Sequence, residues 1–98
     1  MTSKQRAYLK SLAMKLDASF LVGKDSLTDG IIDAIDEHLE ANEIIKIGVL
    51  KNCADDPRMI AEAIAAATDA EVVQTIGKKM VLYRQAKETK DRKVMLPK

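Results

Sequence analysis

Ninety-eight residues, 47% apolar and 32% charged, fit one folded domain with a single modest core. Cys53 is the sole cysteine, which excludes an internal disulfide framework and a cysteine-cluster metal site. The net charge of +1 hides a lopsided distribution: +3 over residues 1–28, −6 over 29–43, −2 over 44–76 and +6 over 77–98.

A first helix is predicted from Ser3 to Leu16, capped by Thr2 or Ser3. Its apolar stripe is Leu9, Leu12, Ala13 and Leu16. Phe20, Leu21 and Val22 form a short apolar run ended by Gly23, which reads as a buried strand. After the loop Gly23-Lys24-Asp25-Ser26, Thr28 suits the N-cap of a second helix over 29–41. Ile31, Ile32, Ile35 and Leu39 face its core side, and acids cover much of the rest. Residues 43–50 alternate as a strand, with Ile45, Ile47 and Val49 on one face.

Asp55 or Asp56 before Pro57 marks a third helix, with Met59, Ile60, Ala63, Ile64 and Ala67 as its stripe. Residues 72–76 and 80–84 flank Gly77-Lys78-Lys79, the pattern of a hairpin. The order α-β-α-β-α-β-β predicts a single α/β domain over 1–98 with a mixed four-stranded sheet. Residues 86–98 form a basic, partly flexible tail, ending either disordered or as an apolar clip through Val94 to Leu96.

The chemistry of an enzyme is missing. His38 lies in the acidic helix without a second ligand at metal spacing, and Cys53 has no histidine placed to activate it. The acids of residues 29–43 read as a solvated helix face, and no Walker or dinucleotide fingerprint occurs. The expectation is a protein that is not an enzyme and needs no cofactor and no metal. The apolar runs fall short of the ~18 residues of a membrane span. MTSKQRAYLK has no apolar signal core, so a cytoplasmic protein with no membrane partner is expected.

A glycine-bearing loop that runs into a helix start can present backbone N–H groups and a dipole to an anion. Lys24 adds a cation there, although Asp25 opposes one, and on the loop alone an ordinary strand-to-helix turn is the simpler reading. Taken together, TSKQRAYLKSLA, LVGKDSLTDGIIDAID and IGKKMVLYRQAKETKDRKVMLP in this order resemble the YhbY-type CRM family. These are small RNA-binding domains named for chloroplast RNA splicing and ribosome maturation. The resemblance covers essentially the whole chain. It implies a fold similar to the C-terminal domain of bacterial translation initiation factor 3. It implies RNA as the partner, with structured ribosomal RNA in pre-50S particles as the target and no DNA expected.

The family's GxxG loop falls on Gly23, Lys24, Asp25 and Ser26, with Ser26 in place of the second glycine. The RNA-binding residues expected are Gly23, Lys24, Ser26 and Thr28 of the loop, Lys78, Lys79 and Arg84 of the last hairpin, and Arg6, Lys10 and Lys4 of the first helix. The competing reading is a protein-interaction module that docks its acidic helix 29–43 on a basic ribosomal protein or assembly factor.

Overall fold

Thr2 starts the first helix through a capping box: its hydroxyl accepts from Gln5 N, and the Gln5 side chain accepts from Thr2 N. In the computed structural model, which describes residues 1–97, this helix is α1, Ser3–Ala13. It is followed by β1 (Phe20–Val22), α2 (Asp29–Asn42), β2 (Ile44–Val49), α3 (Pro57–Thr68), β3 (Glu71–Ile76) and β4 (Lys79–Tyr83). A short 3-10 turn covers Thr89–Asp91. The element order is the predicted one, and Lys98 lies outside the described residues.

The four strands lie in the order β1-β2-β4-β3. β1 and β2 are parallel, and β4 runs antiparallel to both β2 and β3. The hairpin turn needs only Gly77 and Lys78, with Gly77 at φ +56°. A bulge between Val72 and Gln74 leaves Val73 without an opposite residue and turns it toward α1.

Alternation sorts the side chains to two faces. Ile45, Ile47 and Val49 of β2 join Met80, Leu82 and Val22 under Ile35 and Leu39 of α2 and Ile60 and Ile64 of α3. Ile44, Val81, Tyr83 and Val73 meet Leu9 and Ala13 of α1 on the other face. The α3 stripe is rotated from the predicted one. Ile60, Ala61, Ile64 and Thr68 are buried, whereas Met59 is 68% exposed and Ala63 and Ala67 face solvent. Ala61 is small enough for α3 to sit close on the sheet, so packing overrides the larger methionine.

Two helices end in left-handed residues that are not glycine: Glu43 at φ +68° after α2 and Asp69 at φ +58° after α3. Glu43 is fully buried. Its carboxylate accepts from the backbone N–H groups of Ala86 at 2.8 Å, Val94 at 2.7 Å and Lys93. Its own carbonyl accepts from Arg84 N. The last residues are thereby folded back as a clip. Val94 and Leu96 pack on the α1 cluster, and Gln5 Nε2 donates to Pro97 O.

Burial alone would raise the Glu43 pKa. The N–H groups of Val94, Ala86 and Lys93 outweigh it, with help from Arg92, and hold the carboxyl below its ordinary range. A lowered folded-state pKa gives stability that is complete at neutral pH and is lost as pH falls through and below the ordinary carboxylate range. Glu43→Gln is expected to cost about 1–3 kcal/mol at neutral pH. It should flatten the acid limb of the stability curve. Thermal melts across pH, with amide exchange at Ala86, Lys93 and Val94, check this; unchanged exchange at those amides would refute it.

Candidate nucleic-acid interface

Because β1, β2 and β3 all run one way, the loops that follow them leave the sheet at one end. Backbone hydrogen bonds stitch these loops together. Leu50 N donates to Val22 O at 2.8 Å, and Val49 N donates to Lys78 O at 2.7 Å. A β-carbon on Gly23 would stand 3.4 Å from Leu50 Cδ1 and 3.5 Å from Asn52 Oδ1. The Gly23 loop, the Leu50–Asn52 segment and the hairpin turn therefore form one rim, which carries Lys24, Lys51, Lys78 and Lys79, all exposed.

Within the Gly23 loop, Ser26 N donates to Gly23 O at 2.9 Å, closing a tight turn with Lys24 and Asp25 at its tip. Ser26 sits at φ +53°, the conformation a glycine would take freely. Its hydroxyl donates to Asp55, which ties the loop to the start of α3. Serine holds this left-handed conformation at a cost of about 1–2 kcal/mol. Thr28 caps α2, its Oγ1 accepting from Ile31 N at 3.2 Å. Gly23 itself has no positive φ, and a β-carbon there would make ordinary van der Waals contact with Leu50 and Asn52, so neither conformation nor crowding demands a glycine.

The two sides of the sheet differ in charge. The α1 side carries Lys4, Arg6 and Lys10 on a helix without any acid, then Lys46 and Lys79 on the sheet. The α2 and α3 side carries Asp29, Asp33, Asp36, Glu37 and Glu40, then Asp55, Asp56 and Glu62. Lys10, Lys46 and Lys79 line one groove of about 220 Å³ between the end of α1 and the sheet. Lys46 Nζ donates to the terminal carbonyls of Ala13 and Leu16 at 3.4 and 3.3 Å, where the helix dipole favours a cation.

Of the basic residues of α1, Arg6 and Lys10 are brought to the sheet. Lys10 joins Lys79. Arg6 lies further along, and its Nη1 donates to Val72 O and Val73 O at 2.8 and 2.7 Å, covering carbonyls at the bulge of the edge strand. Lys4 is about one and two-thirds turns from Lys10, about 9 Å back along the axis toward the clipped tail. Lys46 and Lys51 were missed by sequence reasoning, which saw a strand interior and a loop without a motif. The parallel β1–β2 pair brings Lys51 beside the Gly23 loop, and alternation along β2 was the available signal for Lys46.

Arg84 does not belong to this surface. It is 7% exposed, and both terminal nitrogens of its guanidinium are engaged inside the fold, while the buried Nε has no hydrogen-bond partner. Nη1 pairs with Asp36 and donates to Thr68 O at 2.8 Å, while Nη2 donates to Asp36 O at 3.0 Å and lies 3.5 Å from Glu40. It follows β4 at the end away from the rim, so the expected phosphate contact is replaced by a tie between α2 and the end of α3. The tail departs from the same far end, so Lys87, Lys90, Arg92 and Lys93 do not extend the rim.

The acidic helix has less free charge than its sequence suggests. Asp36 and Glu40 face Arg84, and Glu43 is buried under the tail. Backbone N–H groups of Lys87 and Glu88, with Arg84 beyond them, hold Glu40 below its ordinary pKa. His38 stands edge-on to Phe20 with ring centroids 5.9 Å apart, and burial lowers its pKa. Tyr83 is buried, which raises its pKa, so it is a packing residue and not a stacking surface. Among the described residues, no group of three acids, histidines or cysteines is placed to hold a metal ion.

A mixed-sheet α/β domain with a cationic face built on its first helix defines the class. The CRS1/YhbY (CRM) domain profile matches residues 1–84, and the chain belongs to that family. It is 44% identical over 90 residues to the probable RNA-binding protein YqeI of Bacillus subtilis, covering 92% of this chain and 94% of that one. An RNA-binding protein of Haemophilus influenzae is 37% identical over 90 residues, covering 92% and 91% of the two chains. The solution structure of the hypothetical protein SAV1595 from Staphylococcus aureus superposes with a TM-score of 0.77 at 43% identity, covering 99% of each chain.

Arg84→Ala is expected to cost about 3 kcal/mol, because Thr68 O and Asp36 lose their buried partner. Lys24→Gln, on an exposed tip, should stay within about 0.5 kcal/mol of the parent. Denaturant titration of both variants decides: equal stabilities would overturn the structural assignment of Arg84.

Proposed function

We propose that this protein is a non-catalytic RNA-binding domain that clamps the phosphates of folded RNA. The observation that carries the reading is the charge bias across the sheet: the α1 side and rim hold mostly cations, with Asp25 and Glu71 as exceptions, and the other side holds mostly carboxylates. Such a dipolar surface binds a polyanion in one orientation although its net charge is only +1. Lysines on flexible stems fix position without reading bases. Aromatic stacking capacity is small: of three aromatic residues Tyr83 is buried and Phe20 packs on the core, which leaves Tyr8 on α1. The surface therefore suits RNA recognised by shape, and the target proposed is ribosomal RNA in large-subunit precursors during assembly, in the cytoplasm.

The named relatives support RNA as the partner class, because they match this chain over nearly its whole length. Docking through α2 is the weaker reading, since Asp36, Glu40 and Glu43 already serve the fold.

Fluorescence anisotropy with protein-free structured ribosomal RNA across a salt series tests the proposal. Log K is expected to fall linearly with log salt, at about 0.7–0.9 per phosphate neutralised. Lys24→Gln and Lys51→Gln should each reduce that slope by about one contact while the protein stays folded. No saturable binding at low salt would sink the proposal.

A further inference from the structure

The α1 face of the sheet is only partly covered. Strand register places Leu21, Gly48, Lys79 and Ile76 side by side in one row across all four strands. α1 stops at Ala13, short of that row. Leu21 is 59% exposed, Ile76 64% and Met14 83%, so an apolar strip remains open at the rim. Gly48 keeps the strip low, because a β-carbon there would come within 2.9 Å of Leu21 Cδ2.

The groove described above opens on this strip. Ile76, Val81 and Met14 line it together with Lys10, Lys46 and Lys79. Lys46 is half-buried, and two of its three ammonium protons are taken by neutral carbonyls, so its charge has no carboxylate within 4.0 Å among the described residues. A half-buried cation with Lys10 and Lys79 beside it, next to exposed apolar side chains, matches a ligand with an anionic end and a flat apolar body. At about 220 Å³ the groove is smaller than the roughly 300–1,000 Å³ of whole-ligand pockets, so it suits one unit of a larger molecule.

We propose that this groove takes one unpaired nucleotide of the bound RNA. Its base lies against Ile76, Met14 and Val81, and its phosphate is held by Lys10, Lys46 and Lys79. Gln74, also on the groove, offers a carboxamide to the base edge. This inference rests on the RNA-binding reading and refines it: phosphates of a helical region meet the rim, and a bulged or terminal nucleotide is captured beside α1.

Two dye-labelled RNA hairpins of identical stem, one carrying a single bulged adenosine, test it by anisotropy at one fixed salt concentration. The wild-type protein is expected to bind the bulged hairpin about tenfold more tightly, in the lower part of the range for a base stacked on an aromatic side chain because the groove is aliphatic. Ile76→Ser should abolish that preference and still bind the paired hairpin. The side chain is exposed, and a thermal melt verifies the variant's fold. The Ile76 δ1 methyl should move upfield with the bulged hairpin alone. Equal affinity for both hairpins, or a preference that survives Ile76→Ser, overturns the groove assignment while RNA binding stands. Binding of neither hairpin overturns the RNA reading and this inference with it.

Discussion

A carboxylate removed from water persists only if its lone pairs are filled. Glu43 meets that condition with backbone N–H groups drawn from two separate places in the tail. The same residue reverses the chain from α2 into β2 in a left-handed conformation and accepts Arg84 N on its carbonyl. Helix end, strand start and C-terminal clip are thus one connected unit. Arg84 extends the unit to α2 and the end of α3 through Asp36 and Thr68. The far end of the molecule is locked by these charges, which leaves the rim end free to present its lysines.

This division explains how a chain of nearly neutral net charge can show a cationic surface. Acids on α2 are drawn toward Arg84 and the tail amides. Lysines on α1 and the rim make no ion pair among the described residues. Structural electrostatics and ligand electrostatics occupy different ends of the sheet, so they do not compete.

The element order was readable because each helix and strand carries its own period. Pro57 after Asp56, Thr28 before an isoleucine face, and Gly77 between two β-rich runs each name a boundary by local physics. What sequence could not reveal depends on residues far apart in the chain. Arg84 looks like any basic residue beside a hairpin, and its burial follows only from the approach of Asp36. The helix ends at Glu43 and Asp69 lack the glycine that usually marks a left-handed cap, so nothing local announces them. The α3 stripe was misplaced by one position because hydrophobicity ranks methionine above alanine, whereas close packing on a sheet favours the smaller side chain. At the candidate site, the lysines of the loop and hairpin were visible by motif. Lys46 and Lys51 became visible only once the strands were paired.

The central place of β4 has a consequence for how the chain matures. β2 pairs on one side with β1, whose partners lie 27 residues earlier, and on the other with β4, whose partners lie 31 to 39 residues later. A chain growing from its N-terminus must hold β2 with an open edge until Tyr83 has been made. β3, too, has no neighbour until its partner arrives, since β4 alone joins it to the sheet. Without β4 the sheet is incomplete, because β4 is the strand that connects β2 to β3. Non-local pairing of this kind slows folding relative to helical domains of equal size. The domain therefore acquires its cationic face only when nearly the whole chain has been synthesised.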